Sequence, residues 1–283
     1  SELLEIILFG LTKRTIGIVV VVTFVLSELI TVLNPKDAKE IIVYLNSANV
    51  LVGMFLVTLS GSYLWSCSVA VLQYFGFQLE KSDNILKTTE GLLTKRRIEI
   101  PLTKIQILEV QLPFVRRLLG YGSMHIETAA LGYADGEVRK SEGFVPMIEL
   151  NQIPTILEQM CDVPEKVMNI FTYEYNPPHL IALYRSIFQK TLKYFILTSL
   201  LYLTFRDHNL AFLFYFICVF AIPLGYLDWK YQGWYITEEY VFIRAGFLER
   251  RYWILDRKKI QSLGVEQGLL HRYHDLGRVL IRV

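Results

Sequence analysis

The sequence predicts an α+β membrane protein in which transmembrane helical hairpins alternate with small antiparallel β modules, each closed by a C-terminal helix. Three observations predict this organisation. Of the 283 residues, 53% are hydrophobic and 20% are charged, against about 25% charged residues in a typical soluble domain. Two long segments are nearly free of charge, and a short motif occurs twice, at Lys104 and again at Lys259. The formal net charge of +2 is too small to indicate a nucleic-acid-binding protein.

The first hairpin is predicted within residues 1–76, with spans near 16–33 and 50–72. A helix needs roughly 20 predominantly apolar residues to cross the hydrocarbon core. Glu28 is the only charged residue of the first span, and it lies towards the end of that span. A carboxylate inside a membrane is costly and indicates a functional residue by default, which makes Glu28 a candidate intramembrane carboxylate for transport. The alternative is that its side chain simply reaches the outer interface.

The second hairpin is predicted within residues 194–230, with spans near 194–205 and 209–227. The first of these spans is short. Either Lys190 and Lys193 extend to the interface and lengthen it, or the segment is tilted or re-entrant.

The flanks of the predicted spans carry more lysine and arginine than the two hairpin tips. Because positive residues favour the cytoplasmic side, the tips are expected outside and the β modules in the cytoplasm. A linker with an interfacial helix is expected over residues 163–193.

Two β modules are predicted, over residues 77–162 and 231–283. In the first, residues 96–100 alternate between apolar and charged side chains, as in a half-buried strand. After Pro146 the apolar residues recur at helical spacing, which predicts one amphipathic closing helix. The expected strands cover residues 84–89, 92–100, 105–111 and 124–128, and the apolar positions of the helix are Leu150, Ile153, Leu157 and Met160.

The two modules share a motif: Lys104-Ile105-Gln106 recurs 155 residues later as Lys259-Ile260-Gln261. The same register aligns the predicted hairpins, so a hairpin followed by a module is the expected repeating unit. This motif is interpreted as structural. The second copy is shorter and lacks the expected last strands and closing helix, so the sequence is expected to be an internal fragment of a longer protein.

The first module also carries a family resemblance. Glu90-Gly91-Leu92-Leu93 is followed by a basic run, then by Lys104-Ile105-Gln106 and Arg116-Arg117-Leu118-Leu119-Gly120. This pattern resembles the bacterial pleckstrin-homology-like (PH-like) domain of membrane proteins, in the multi-copy version where such domains alternate with transmembrane hairpins. The resemblance implies a bent antiparallel sheet capped by a C-terminal helix, and a multi-pass protein of the bacterial cell membrane. It implies no particular ligand.

Basic residues of both modules are candidates for lipid or partner binding. Near an anionic leaflet each such residue contributes about 1 kcal/mol of attraction. The alternative is a solvated strand edge whose charges prevent sheets from pairing. Because strand neighbours point to opposite faces, Arg96 and Arg97 are not expected to share one pocket. The candidates are Lys95, Arg96, Arg97, Arg116, Arg117, Arg250, Arg251, Arg257, Lys258 and Lys259, and Arg244 belongs to the same basic group.

No pattern of residues indicates catalysis, a cofactor or a metal. His271 and His274 are three residues apart but have no third ligand at a suitable spacing, which favours surface histidines. The predicted function is a non-enzymatic membrane-anchored scaffold or binding protein, with a role in envelope stress or maintenance implied by the resemblance alone. Membrane lipids, a second PH-like membrane protein or another copy of the chain are the expected partners. The alternative is a subunit of a transporter or channel built from paired hairpins.

Overall fold

The computed structural model describes residues 2–12, 48–128, 143–161, 170–205, 219–268, 272 and 276–283. The chain divides into two compact units. The first, helical unit comprises residues 1–76, 90–95 and 180–226, and the second, mainly β unit comprises residues 77–89, 96–179 and 227–283.

The described residues form six helices and eleven strands. The helices are α1 (Glu2–Thr12), α2 (Ala48–Tyr74), α3 (Phe114–Leu118), α4 (Ile153–Cys161), α5 (Leu180–Phe205) and α6 (Ala221–Lys230). The strands are β1 (Gln78–Ser82), β2 (Ile85–Glu90), β3 (Arg96–Pro101), β4 (Ile105–Pro113), β5 (Tyr121–Thr128), β6 (Gly143–Glu149), β7 (Gly233–Ile236), β8 (Tyr240–Ala245), β9 (Glu249–Asp256), β10 (Ser262–Glu266) and β11 (Arg278–Arg282).

In the helical unit, small residues let helices approach closely. A Cβ added at Gly10 of α1 would lie 2.6 Å from the Cα of Cys67 on α2, so only glycine fits there. The Ser66 hydroxyl of α2 donates a hydrogen bond to the Gly10 carbonyl oxygen at 2.8 Å. Gly225 of α6 approaches the backbone of Ile187 on α5 in the same way.

The predicted transmembrane hairpins are wrong where the structure tests them. No helix within the described residues is long and apolar enough to cross a membrane. Helix α2 covers the predicted span 50–72. Helix α5 covers the predicted span 194–205, and its charged residues Arg185, Lys190 and Lys193 lie in the part that would have to lengthen this short span.

The other span predictions lie partly or wholly outside the described residues. Span 16–33, with Glu28, falls outside them completely, and so do residues 209–218 of the fourth span. The transporter alternative depends on Glu28, so the described residues do not test it.

The β unit begins with a three-stranded antiparallel sheet in the order β1-β2-β3. Residues 92–95 form a turn, so the third strand begins at Arg96, later than the sequence predicts. A short 3-10 turn, Leu102–Lys104, then leads into β4. The α+β character predicted from the sequence agrees with this architecture.

The second sheet joins strands from both copies of the module. It has six strands in the order β6-β5-β4-β9-β8-β7, so β4 of the first copy pairs with β9 of the second. The pairing is antiparallel and runs from Ile107 opposite Leu255 to Pro113 opposite Glu249. Two segments separated by more than 130 residues therefore form one continuous sheet.

One hydrophobic core lies under this composite sheet. Leu108 and Val110 of β4 are buried together with Tyr252 and Ile254 of β9 in a single cluster. Helix α4 contributes Ile153, Leu157 and Met160, the positions that the helical spacing predicts, and β2 and β3 contribute Leu86 and Ile100. The core of the first copy is thus completed by side chains of the second.

Residues 170–178 form a strap along the outer strands of the composite sheet. Asn176 exchanges backbone hydrogen bonds with Trp234 of β7, at 2.9 and 3.1 Å. The Tyr173 ring stacks on Tyr235 of β7 at a centroid distance of 4.6 Å, and the Phe171 ring meets Tyr252 edge to face at 5.2 Å. The strap therefore contacts both β7 and β9 and links these two strands.

Corresponding elements of the two copies occur 155 residues apart. Strand β8 follows β2 at this spacing, and the 3-10 turn Arg257–Lys259 follows Leu102–Lys104. Gly91 and Gly246 both have positive φ, 108° and 82°. In each, an added Cβ would collide with the carbonyl oxygen three residues later, which accounts for glycine at both turns. Strands β10 and β11 form a separate two-stranded sheet.

Candidate functional site

The register of the composite sheet brings α3 and the β8–β9 turn to the same end. Pro113, the last residue of β4, lies opposite Glu249, the first residue of β9. Helix α3 begins directly after Pro113, and residues 246–248 form the turn directly before Glu249. A surface built from both copies therefore occupies this end of the sheet.

The apolar part of this surface is an exposed ridge on and just after α3. Its four side chains are between 41% and 70% exposed to solvent. Scattered apolar residues on a surface are normal, but four exposed apolar side chains within six residues form a patch of the kind found where a protein contacts a partner or a membrane. We call these residues the apolar ridge: Phe114, Val115, Leu118 and Leu119.

Arg117 lies within the apolar ridge. Its Nη1 donates to the carbonyl oxygen of Phe247 in the β8–β9 turn at 3.2 Å. Its guanidinium carbon lies 5.6 Å from the ring centre of Phe114. Burial, and then the nearby positive charge of Arg250, lower the pKa of Arg117 below its ordinary value.

Two further arginines gather around Tyr231. Arg250 places its guanidinium carbon 4.1 Å from the Tyr231 ring centre. Arg244 donates from Nε to the Tyr231 carbonyl oxygen at 3.1 Å and stacks on the Tyr175 ring at 4.4 Å. We call Arg117, Arg244 and Arg250 the arginine cluster.

One donor of the arginine cluster is left without an acceptor. The Nε of Arg250 is shielded from solvent and has no hydrogen-bond partner in the described part of the chain. A buried donor without a partner is costly, and a guanidinium beside another cation favours an anion. Guanidinium groups suit phosphate because their planar fork of donors matches phosphate oxygens.

The backbone geometry of the turn also depends on a carboxylate. Asp228 of α6 accepts a hydrogen bond on Oδ1 from the backbone N–H of Phe247 at 2.8 Å. The Phe247 ring contacts the Tyr231 ring at a centroid distance of 5.3 Å. These contacts hold the Phe247 carbonyl oxygen in position for Arg117.

Other basic residues predicted as site candidates have structural partners. Arg116 is buried and donates to the Ser123 hydroxyl at 3.2 Å. Arg251 forms an ion pair with Glu249 at 2.7 Å and lies 3.7 Å from Glu109. These two residues make their contacts within the β unit.

The basic residues after β9 also make contacts within the sheet. Arg257 donates to the backbone carbonyl oxygens of Thr237 and Glu238, both at 3.1 Å. Lys258 is exposed, and its backbone N–H donates a hydrogen bond to Oδ1 of Asp256 at 2.9 Å. Lys259 donates to the Ile105 carbonyl oxygen at 2.6 Å.

The first basic run lies on a different sheet from the arginine cluster. Lys95 precedes β3, and Arg96 and Arg97 are exposed on it. The Arg97 Nε lies 3.4 Å from a carboxylate oxygen of Glu99. Of the candidates predicted from the sequence, the structure brings Arg117 and Arg250 together.

The shared motif lies at the junction of the two copies. Ile105 is buried in the core, and Lys259 binds its carbonyl oxygen. A cavity of about 260 Å³ lies beside this contact, and its lining includes Gln106, Thr103 and Tyr240. Gln261 directly precedes β10, and its backbone N–H donates to the Arg282 carbonyl oxygen at 2.9 Å.

Sequence reasoning did not identify the apolar ridge. Helix α3 has only five residues, which is too short for a periodic pattern to be recognised. The available signal was the alternation of apolar and basic residues directly after Pro113, in a segment bounded by Gly120.

The second unit is thus an antiparallel β fold closed by helix α4, with basic and apolar residues gathered at one end of its composite sheet. The family model described as "Bacterial PH domain" matches residues 11–161 and 187–283. The chain therefore belongs to the bacterial PH domain family, and the resemblance inferred from its motifs is confirmed.

A curated relative extends this result. The chain is 24% identical over 278 residues to the UPF0699 transmembrane protein YdbT of Bacillus subtilis (strain 168). The match covers 95% of the chain and 54% of the relative, so the chain spans about half the length of that protein. No solved structure is matched by the chain.

Proposed function

We propose that this chain is a membrane-associated binding protein whose arginine cluster and apolar ridge together contact anionic lipid headgroups. The observation that carries the proposal is Arg117, which follows Phe114 and Val115 of the apolar ridge and binds the β8–β9 turn at the end of the composite sheet where Arg250 also lies. The role is binding without catalysis. The Bacillus subtilis relative is named a transmembrane protein, which supports a membrane setting for this chain.

The chemistry of the surface matches the two layers of a membrane interface. Apolar side chains gain free energy by entering the boundary between headgroups and acyl chains. Arginines just behind them stay level with the phosphate groups, where each contributes about 1 kcal/mol of attraction to an anionic leaflet. The cytoplasmic leaflet of a membrane carries a negative surface potential because of its anionic lipids.

The guanidinium planes of the arginine cluster support phosphate as the group that is bound. The Tyr231 ring, 4.1 Å from the Arg250 guanidinium carbon, fixes the plane of that group. Arg244 is fixed by Tyr175 in the same manner. A preorganised pair of guanidinium planes loses little entropy when a phosphate arrives.

The experiment is co-sedimentation of the purified chain with vesicles of phosphatidylcholine alone or mixed with phosphatidylglycerol. We expect binding to the mixed vesicles, weakened about tenfold or more by Arg117→Glu, because reversing one charge removes two units of attraction. The matched control is Arg96→Glu, which makes the same charge change on the three-stranded sheet. Equal weakening by both variants would show that net charge, and not this surface, decides binding.

The apolar ridge is tested separately. Leu118→Asp should weaken binding to the mixed vesicles, whereas Leu93→Asp, at another strongly exposed leucine, should leave it unchanged. If Leu118→Asp binds like the unmodified chain, the ridge takes no part in membrane contact. A second PH-like membrane protein or another copy of the chain as partner stays a prediction.

A further inference from the structure

Strand β10 is the counterpart of β4, but within the described residues no strand pairs with its outer edge. Residues 262–266 follow residues 107–111 by 155 positions, and within the described residues β10 pairs with β11 alone. β4, by contrast, pairs with β5 on one side and with β9 on the other. The outer edge of β10 therefore corresponds to the edge of β4 that β9 occupies.

The side chains that β4 uses against β9 are repeated on β10. In β4, Leu108 lies opposite Ile254 and Val110 lies opposite Tyr252. The corresponding residues of β10 are Leu263 and Val265, which are chemically identical.

Their surroundings differ sharply between the two strands. Leu108 and Val110 are 2% and 0% exposed, whereas Leu263 and Val265 are 67% and 68% exposed. Two apolar side chains on a bare strand edge form a template for strand addition, because backbone donors and acceptors are available beside them.

We propose that β10 is an acceptor for a β9-type strand of a further bacterial PH module, in the antiparallel register that β4 and β9 already use. In this register Leu263 meets an isoleucine and Val265 a tyrosine, the pairs observed between β4 and β9. Glu266 would lie opposite the counterpart of Arg251, a favourable pairing of charges. The module would thus be added to the sheet as the second copy is added to the first.

The chain's own β3 does not fit this position, although it is the counterpart of β9 in the first copy. Arg97 and Glu99 stand where β9 has Tyr252 and Ile254. A charged side chain at either place would face Leu263 and Val265 without a partner. Strand β10 therefore favours a strand with apolar residues at the positions of Tyr252 and Ile254. The expected partner is a module whose β9-type strand has this pattern.

The length of the curated relative is compatible with a further module. The match covers 54% of that protein, so nearly half of its residues lie outside the matched region. This inference is independent of lipid binding, because β10 and the arginine cluster share no residue.

The test uses two synthetic peptides and amide hydrogen exchange on the full 283-residue chain. One peptide has the sequence of residues 249–256, and the control has that of residues 94–101, the β3 counterpart. We expect the β9 peptide to slow exchange at residues 262–266 about tenfold, since strand addition protects edge amides, and the control peptide to have no effect. Unchanged exchange, or equal slowing by both peptides, overturns the proposal.

Two variants make the test specific to the apolar pair. Val265→Asp should abolish the slowing, whereas Ile236→Asp, on the exposed outer strand β7, should preserve it. Both side chains are largely solvent-exposed, so neither change should unfold the chain. Self-association of the chain that Val265→Asp prevents would assign the edge to a second copy and would also overturn the proposal.

Discussion

Lys259 donates a hydrogen bond from Nζ to the backbone carbonyl oxygen of Ile105 at 2.6 Å, so the two occurrences of the Lys-Ile-Gln motif are directly connected. The same ammonium group lies 3.8 Å from Asp256, which keeps it close to the end of β9. Ile105 is the first residue of β4, the strand on which β9 is added. The motif therefore contributes to joining the two copies, which explains why a lysine is needed in the second.

Replacing Lys259 by methionine should weaken this junction. The variant keeps most of the aliphatic side chain but leaves the Ile105 carbonyl oxygen without its charged donor. Hydrogen bonds of this kind contribute about 1–2 kcal/mol when they are partly exposed. We expect the free energy of unfolding in urea to fall by about that amount. Lys258→Met is the matched control, since Lys258 is exposed, and a loss of equal size in both variants would contradict the role of Lys259.

Glycine at the β8–β9 turn should be required for two separate reasons. Gly246 and Gly120 both have φ of 82°, a region that costs an alanine roughly 1 kcal/mol. At Gly246 an added Cβ would also collide with the Glu249 carbonyl oxygen, whereas at Gly120 it would meet no atom of the described residues within 4 Å. Gly246→Ala should therefore be at least about 1 kcal/mol more destabilising than Gly120→Ala in urea denaturation.

The comparison of these two variants separates steric collision from backbone strain. Because Gly246 precedes the Phe247 carbonyl oxygen that Arg117 binds, the more destabilised variant should also bind anionic vesicles less tightly. Equal stability losses in Gly246→Ala and Gly120→Ala would mean that the turn relaxes to accommodate the added methyl group.

His125 should make the β unit less stable in acid. It lies on β5 against the Phe144 ring, at a centroid distance of 4.4 Å. Burial, with smaller contributions from Arg251 and Arg116, lowers its pKa from 6.5 to about 4. The folded state therefore holds the neutral imidazole, and its contribution to stability is complete above pH 6.5. That contribution is lost as the pH falls from 6.5 towards 4, because the unfolded chain takes up a proton that the folded chain resists.

The measurement is the free energy of unfolding across that pH range for the unmodified chain and for His125→Gln. Titration of acidic residues changes the stability of both proteins alike. The difference between the two curves therefore reports the contribution of the His125 imidazole. We expect the unmodified chain to lose more stability than the variant on acidification. Parallel curves would show that His125 is protonated as readily when folded as when unfolded.

The sequence was sufficient for the local elements of the first copy. The alternation in residues 96–100 predicts a strand, and β3 covers it. The helical spacing of Ile153, Leu157 and Met160 predicts the closing helix, and α4 buries all three. Such patterns can be recognised in the sequence because each depends only on residues that are near neighbours in the same strand or helix.

The pairing of β4 with β9 could not be predicted in this way. Both strands have apolar and polar residues that suit several neighbours, and the choice is made by contacts across more than 130 residues of sequence. The arginine cluster depends on the same pairing, because Arg117 and Arg250 meet only when both copies share one sheet.

Tyr175 should be the residue through which the strap of residues 170–178 stabilises the β unit. Its hydroxyl donates to the Ile170 carbonyl oxygen at 2.8 Å, and its ring lies under Arg244 and near Tyr252. Tyr175→Phe removes the hydrogen bond alone and should cost about 1 kcal/mol in urea denaturation. Tyr175→Ala also removes the half-buried ring and should cost about 2–3 kcal/mol, with faster proteolysis within residues 170–178. Tyr184→Ala, at an exposed tyrosine of α5, is the control and should change stability by less than about 0.5 kcal/mol. If Tyr175→Ala is as stable as this control, the strap contacts the sheet without stabilising it.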